Sequence, residues 1–272
     1  GTSNFILSQM SNNNLTFGDA LGEARKRGFA EKDPTLDIEG IDSAHKLTLL
    51  SYLAFGKLVD FKEIFTEGIS HISLADITYA REMGFAIKLL AIAKKNKDDL
   101  ELRVHPTLIA ENHLLASVEG IFNAIYVSSD LAGNLLFYGP GAGQLSAASA
   151  VVSDLVDLSR DIKAGLFRAA LKTAVDTSIK RLRKIDDIES RYYIRFMAVD
   201  KPGVLAKISG ILAKCGISIA SVTQKQKIRQ KVVPVVIVIH NAKEKDLRTA
   251  LAAIDREAVI KQKSVAIRLE EL

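Results

Sequence analysis

The chain has 272 residues, of which 48% are hydrophobic and 25% charged, with a formal net charge of +5 at pH 7. These values are ordinary for a soluble globular protein, and the length allows two domains with a sizeable core. No segment approaches the roughly 18 uninterrupted apolar residues of a membrane span, and the first residues carry no signal-peptide pattern, so we expect no membrane partner. The single cysteine, Cys215, excludes an internal disulfide and agrees with a reducing, cytoplasmic location.

Charge is distributed unevenly along the chain. Residues 191–272 hold 16 Lys and Arg against 7 Asp and Glu, whereas the preceding residues hold 21 against 25. This shift predicts a first domain at 1–163, a linker helix at 164–190 and a second domain at 191–272. The basic second domain could suggest nucleic acid, but its densest run, KQKIRQK at Lys225–Lys231, has no interleaved aromatics for base stacking. We interpret this run as an exposed hairpin turn and expect no nucleic-acid partner.

Caps, turns and apolar spacing predict the elements of the first domain. Thr16, with Asp19 three residues later, is a typical N-cap, and Ser73 precedes another helical pattern. The predicted helices cover residues 2–10, 16–28, 38–55, 73–83 and 142–161. The predicted strands cover residues 85–93, 100–110, 121–128 and 135–138. A mixed sheet with flanking helices is therefore expected, which is an α+β fold.

An acidic loop precedes the helix that begins near residue 38. Glu31 and Asp37 lie in this loop, which Pro34 interrupts, and Asp42 and Lys46 follow on the helix. Because Asp42 and Lys46 are four residues apart, they share one helix face. On composition alone, such a pair is usually a solvated surface pair. The alternative is that the loop and helix charges converge on one small polar molecule.

A glycine-rich segment, Gly139-Pro-Gly-Ala-Gly143, lies between the last predicted strand of the first domain and its last helix. Glycines before a helix N-terminus let the backbone approach a phosphate or a planar ligand closely. The segment lacks the full dinucleotide fingerprint. A tight strand-to-helix turn explains it equally well.

The second domain shows a regular alternation of elements. The predicted strands cover residues 192–199, 217–226, 232–240 and 264–269, and the predicted helices cover 204–214 and 243–257. The order βαββαβ is typical of a ferredoxin-like split unit. Within it, Gly203 allows a tight turn at a helix N-terminus whose N–H groups could hold a carboxylate.

Three segments resemble homoserine dehydrogenases. They are the opening GTSNFIL, the later YGPGAG, and the ordered positions Ala24, Gly28-Phe29-Ala30, Asp33-Pro34, Asp37-Ile38, Gly40, Asp42 and Lys46. The resemblance implies NAD(P)-dependent interconversion of L-aspartate 4-semialdehyde and L-homoserine, a step of threonine, methionine and isoleucine biosynthesis. It implies that Lys46 is the catalytic residue, as the proton donor or as the group that orients it. It also implies that Glu31, Asp37 and Asp42 bind substrate, although Asp37 could instead brace the loop, and that Gly141 and Gly143 bind the cofactor.

The resemblance carries two further expectations. The family's nucleotide-binding Rossmann unit has no counterpart in the sequence, so we expect the chain to be a fragment that lacks most of the NAD(P) site. The stretch DKPGVLAKISGILAKCGISIASV resembles an ACT domain, a sensor of small molecules that usually binds its ligand between paired copies. The effector implied is threonine, the state implied is a homo-oligomer, and the ligand residues implied are Asp200, Gly203, Val204 and Leu205. A dimerisation module without ligand is the alternative.

Other chemistries find no support in the sequence. The histidines have no metal-ligand spacing with one another or with Cys215, so we assign no metal site. The runner-up to the enzyme hypothesis is a non-enzymatic amino-acid sensor whose first domain only dimerises. A nucleic-acid-binding regulator would require strongly salt-dependent DNA binding.

Overall fold

The computed structural model describes residues 1–141, 143–166, 178–224 and 231–272. The helices within them are α1 (Thr2–Asn13), α2 (Phe17–Lys26), α3 (Thr35–Ile38), α4 (Ile41–Phe55), α5 (Leu74–Glu82), α6 (Gln144–Lys163), α7 (Val204–Lys214) and α8 (Glu244–Ile254). The strands are β1 (Phe65–Thr66), β2 (Phe85–Asn96), β3 (Asp99–Ala110), β4 (Phe122–Ser129), β5 (Gly133–Pro140), β6 (Arg181–Leu182), β7 (Glu189–Val199), β8 (Ile219–Gln224), β9 (Val232–Lys243) and β10 (Ile260–Leu269). The predicted α+β fold with a mixed sheet and flanking helices is confirmed.

One eight-stranded sheet runs through both halves of the chain. Its order is β1-β3-β10-β7-β9-β8, with β2 and β6 also paired to β3. Strand β2 pairs antiparallel with β3 from end to end, so β6, β1 and β10 share the other edge of β3. Strand β10 joins that edge in parallel, with Arg268 opposite Thr107 and Leu269 opposite Leu108. The sequence predicts two separate units and gives no indication of this continuity.

The C-terminal unit has the predicted βαββαβ arrangement. Strands β10, β7, β9 and β8 lie in that order and all pair antiparallel. Helices α7 and α8 bury Ile208, Leu212, Leu247 and Ile254 in one core with Phe196 of β7. The spacing of these side chains on each helix gives one apolar stripe that faces the sheet. The run predicted as a hairpin turn falls largely on residues 225–230, outside the described residues.

Gly40 divides the helix predicted over residues 38–55. Its φ of 79° is left-handed, so α3 ends before it and α4 begins after it. The Ile38 carbonyl accepts from the Ile69 N–H at 2.8 Å instead of continuing a helix. A Cβ at Gly40 would lie 3.1 Å from Val104 Cγ1 on β3. The prediction of one continuous helix was wrong because this close approach to β3 requires glycine.

The predicted linker helix at 164–190 is wrong in its second half. Residues 181–182 form β6, residues 185–187 form a short 3-10 turn, and β7 begins at Glu189. The spacing of Ile179, Leu182, Ile185 and Ile188 favours a helix in sequence. Pairing to the start of β3 overrides that spacing, because the Lys180 and Arg183 N–H groups donate to the carbonyls of residues 98 and 100, each at 2.8 Å. Residues 167–177 lie outside the described part of the chain.

Strand β3 carries a buried polar face. Glu101, Arg103, His105 and Thr107 alternate with apolar residues, and all four side chains are buried. The Arg103 guanidinium donates to Glu101 at 2.8 Å and also to Glu270, which follows β10. Each of these buried charges therefore has an opposite partner, as burial requires.

A second buried arginine joins the two halves of the chain. Arg268 of β10 makes two hydrogen bonds to Glu244 at the start of α8, at 2.6 and 2.8 Å. Arg268 also donates to Glu67 at 2.7 Å, and the Tyr192 hydroxyl donates to Glu244 at 2.7 Å. We use the term ionic layer for Glu101, Arg103, Glu244, Arg268 and Glu270. The ionic layer lies where the N-terminal part of the sheet meets the C-terminal unit.

A third ionic contact fixes α5 against β7. Asp76 is fully buried and accepts from Arg195 at 2.6 and 2.9 Å and from the Tyr193 hydroxyl at 2.9 Å. Asp76 also completes a capping box with Ser73. One carboxylate thus caps the start of α5 and binds β7 of the C-terminal unit.

Loss of stability is expected to begin in mild acid because of His105. Burial, and next the charges of Arg268 and Arg103, hold the pKa of His105 well below its ordinary value of 6.5. The unfolded chain therefore binds a proton at this histidine that the folded chain does not. Since the unfolded state then holds more protons, the free energy of unfolding decreases as the pH falls below 6.5.

The buried carboxylates are expected to cause a steeper loss of folding stability at lower pH. Burial alone would raise the pKa of Asp76, Glu244 and Glu270, but their basic partners outweigh burial and lower the pKa of all three. The stability they contribute is complete above their ordinary values of 3.8 for Asp and 4.5 for Glu, and is lost as the pH falls through the lowered values. Urea unfolding from neutral pH into acid checks both stages. A free energy of unfolding that does not change with pH would contradict them.

Candidate functional site

The start of α1 binds the acidic loop. The Thr2 hydroxyl lies 2.7 Å from the Phe29 carbonyl and 2.9 Å from Asp37 Oδ2, and it can donate to either. The Ser3 hydroxyl donates to the Asp37 carbonyl at 2.7 Å. From the sequence, Thr2 and Ser3 only mark the start of a predicted helix, yet both hydroxyls bond to distant parts of the chain and hold Asp37 in place.

Asp42 and Lys46 lie next to this loop on the first turns of α4. Lys46 Nζ is 2.6 Å from Asp42 Oδ2, and the two side chains are 59% and 41% exposed. The Gly1 nitrogen lies within electrostatic range of Lys46, Asp37 and Asp42. These three charged side chains therefore lie near one point, where the left-handed turn at Gly40 has directed the start of α4.

Asn123 of β4 connects the loop side of the site to the glycine segment. Its Oδ1 accepts from the Gly1 nitrogen at 2.8 Å. Its backbone pairs with Gly139 of β5, and a Cβ built on Gly141 would overlap its amide. The Asn4 amide of α1 lies within 3.2 Å of three backbone carbonyls just before Asn123, so β4 is fixed to α1. No sequence pattern distinguishes Asn123 from any other polar residue in a strand.

A cleft of about 980 Å³ lies between α4, β2 and the β4–β5 hairpin. Lys46, Asn123 and Gly141 line it together, and aliphatic side chains of α4 and β2 line its other side. The volume suits a small ligand with part of a cofactor. The predicted catalytic lysine and the first of the two predicted cofactor glycines therefore share one cleft.

The glycine segment has room for a planar ligand. A Cβ on Gly139 would have no atom within 4 Å, and one on Gly143 would only reach Ser146 Oγ at 4.0 Å. Gly143 has a φ of 126° and precedes α6, so its conformation favours glycine. The open space beside Gly139 and Gly143 fits a flat nicotinamide ring, whereas the Asn123 amide fills the corresponding space at Gly141.

Glu31 is the predicted site residue that the structure does not bring to the others. Its side chain is exposed in the loop before Pro34. Within the described ranges, no hydrogen bond or ion pair joins it to Asp37, Asp42 or Lys46. Its role in substrate binding stays a prediction.

The predicted effector residues lie at the turn before α7. Gly203 has a left-handed φ of 87°, and no side chain caps the helix. The Val204 side chain faces the core, Leu205 is exposed, and Asp200 Oδ1 accepts from Gln224 Nε2 at 3.3 Å. Val204 could therefore contact a ligand only through its backbone.

Two kinds of feature are absent from the described residues. No group of three or more His, Cys, Asp or Glu side chains is arranged to hold a metal ion there. No helix in the same ranges is long and apolar enough to cross a membrane.

Gly141→Ala is expected to lower the free energy of unfolding by about 1 kcal/mol, because Asn123 would have to swing away and lose its bond to Gly1. Urea unfolding of the chain measures the change. Gly139→Ala is the matched control, since nothing lies within 4 Å of the added methyl group. Equal effects of the two substitutions would contradict the proposed contact.

Family models match both parts of the chain. The model described as homoserine dehydrogenase matches residues 1–156, and the model described as ACT domain matches residues 192–259. The chain is 43% identical to homoserine dehydrogenases of Neisseria gonorrhoeae and Pseudomonas aeruginosa, in each case over 100% of its length. It spans 63% and 64% of the length of these two relatives.

Solved structures agree with the sequence matches. A homoserine dehydrogenase from Thiobacillus denitrificans superposes with a TM-score of 0.89 at 44% identity, over 100% of this chain and 62% of that one. The homoserine dehydrogenase of S. aureus superposes with a TM-score of 0.73 at 32% identity, over 100% and 64% of the two chains. The likeness therefore includes both the N-terminal part and the C-terminal unit.

Proposed function

The chain belongs to the homoserine dehydrogenase family, and on that premise we propose that its protein interconverts L-aspartate 4-semialdehyde and L-homoserine with NAD(P). The observation that carries this proposal is the pair Asp42–Lys46, 2.6 Å apart, with Lys46 at the cleft that Gly141 also lines. The second supporting observation is Asp37, which two hydroxyls of α1 hold beside that pair.

The chain's residues suit the proton and charge changes of this reaction. When bound, the nicotinamide supplies or accepts the hydride at the substrate carbon. Reduction of the aldehyde builds negative charge on its oxygen, so a proton donor must lie within hydrogen-bond reach. Lys46 Nζ is that donor in our proposal, and Asp42 orients it through their hydrogen bond. Asp37 and Asp42 supply the negative charge that the substrate's amino group requires, and we propose that Glu31 approaches it when substrate binds.

The test is the change in nicotinamide absorbance with homoserine and NAD or NADP. It is made on this chain and on the product of the whole gene that encodes it. Homoserine-dependent turnover by the gene product supports the proposal. Absence of turnover with both cofactors, in a folded gene product, contradicts it.

The second candidate is a non-enzymatic amino-acid sensor. The match of an ACT domain to residues 192–259 favours it. It predicts that the chain binds an amino acid through the C-terminal unit, whereas homoserine has no affinity for the Asp37–Lys46 region. Calorimetry with homoserine on the wild-type protein and on Asp42→Ala separates the two candidates.

We further propose threonine as an effector at the N-terminus of α7. The uncapped N–H groups of this helix and the left-handed Gly203 support a carboxylate site, because helix N-termini attract anions. Asp200 would bind the amino group. Calorimetry with threonine should show binding that Asp200→Ala weakens, and a wild-type protein that gives no heat would contradict the proposal.

We also propose that the protein is a homo-oligomer. Within the described ranges β2 pairs only with β3, so one edge of a 12-residue strand is open to a second copy. Leu49 and Leu53 of α4 are each 63% exposed near the same cleft. Light scattering at several concentrations measures the mass, and a monomer throughout would contradict this proposal.

A further inference from the structure

Asn123 lies where three parts of the site meet. It accepts from Gly1 at the start of α1, contacts Gly141 of the glycine segment, and lines the cleft that contains Lys46. Its backbone is fixed by the pairing with Gly139 and by the Asn4 amide at the start of β4. Asn123 is therefore held between the acidic side of the site and its glycine side.

The orientation of the Asn123 amide follows from its partner. The Gly1 nitrogen can only donate, so the atom that faces it at 2.8 Å must be the carbonyl oxygen of the amide. The NH₂ group must then point the other way, toward Gly141. Among the residues that the structure describes, Nδ2 has no hydrogen-bond acceptor. The cleft thus contains one oriented donor that the protein itself does not use.

We propose that Asn123 is a positioning residue whose Nδ2 donates to the carbonyl oxygen of the nicotinamide carboxamide. This inference rests on the proposed function. The donor lies at the glycine segment, beside Gly139, where an added Cβ would meet no atom within 4 Å and a flat ring can approach. The charged groups that suit an amino acid lie instead on α4 and the segment before it. One fixed donor matches the single acceptor oxygen of a carboxamide. This hydrogen bond would determine which face of the nicotinamide ring is turned toward Lys46 and the substrate.

The test uses the product of the whole gene and measures calorimetric dissociation constants for NAD(P)⁺ and for its thionicotinamide analogue. Sulfur accepts hydrogen bonds weakly, so the wild-type protein should bind the analogue about 3- to 10-fold more weakly. In Asn123→Ala the preference should disappear, because neither ligand then meets a donor. Asn123→Asp keeps the size of the side chain and also lacks the donor, so it should lose the same preference even if Asn123→Ala fails to fold.

Two outcomes would overturn the inference. One is a preference for oxygen over sulfur that both Asn123 variants retain, since a merely structural role weakens both ligands equally. The other is a loss confined to homoserine affinity, which would assign the donor to the substrate carboxylate. Asn241→Ala, which replaces an exposed asparagine of β9 outside the cleft, is the matched control and should keep the wild-type preference. A wild-type protein that binds neither dinucleotide would contradict the proposed function itself.

Discussion

Lys46→Met is expected to lower kcat/KM for homoserine oxidation by about 10³-fold, because it removes the proposed acid–base group while the rest of the site stays in place. The fold should not change. The Lys46 side chain is 59% exposed and its ion pair with Asp42 is a surface pair, so its loss should cost less than about 1 kcal/mol of stability. Steady-state kinetics on the gene product and urea unfolding of the chain measure the two effects.

Lys26→Met is the matched control for this experiment. Lys26 is an exposed lysine in the last turn of α2, outside the cleft. Its replacement should leave kcat/KM within about twofold of the wild type, as is usual for surface substitutions away from special features. Near-normal turnover by Lys46→Met would remove Lys46 from the mechanism. A large loss of kcat/KM in Lys26→Met would show that activity depends on the net charge of the protein and not on Lys46 in particular.

Arg268→Met is expected to destabilise the chain by about 3–5 kcal/mol, because it leaves buried Glu244 without its two hydrogen bonds from the guanidinium. Burial is the reason for the size of the effect. The Arg268 and Glu244 side chains are each only 5% exposed, so water cannot replace the lost partner. Urea unfolding of the chain measures the change in the free energy of unfolding.

Arg248→Met offers a control on the same carboxylate. Arg248 also contacts Glu244, at 3.1 Å, but its side chain is 46% exposed. Its loss should therefore cost less than about 1 kcal/mol. Similar losses in the two variants would mean that burial does not determine the strength of the ionic layer.

The fold of the C-terminal unit can be predicted from sequence, but its junction with the rest of the sheet cannot. Alternating strands, two amphipathic helices and the turn at Gly203 are all local signals. The polar alternation of Glu101, Arg103 and His105 is also local, yet it would normally indicate a strand face in water. This face is buried because β10 pairs beside β3 and Glu270, which follows β10, binds Arg103 from 167 residues away. No local pattern reports such pairing.

The candidate site also combines residues that local sequence patterns predict with residues that only distant contacts bring into place. The spacing of Asp42 and Lys46 on one helix face is a local signal, and the structure brings them together at 2.6 Å. The contact of Thr2 with Asp37 requires α1 to lie against α3, 35 residues away. The place of Asn123 depends on the pairing of β4 with β5 and on the approach of α1. Residues whose role arises from three distant segments carry no sequence signal.

The edge of β3 that β6, β1 and β10 share has a consequence for how the protein folds during its synthesis. The ribosome makes β3 with Arg103 before it makes Glu270, which lies 167 residues further along the chain. Until the ribosome has made that carboxylate, the edge that β10 will occupy stays open and the Arg103 guanidinium lacks one of its two acidic partners. Non-local pairing of this kind slows folding and leaves strand edges open to aggregation. A nascent chain that stops before β10 therefore leaves this edge of β3 open, and the N-terminal part of the sheet is completed only once the C-terminal unit has been made.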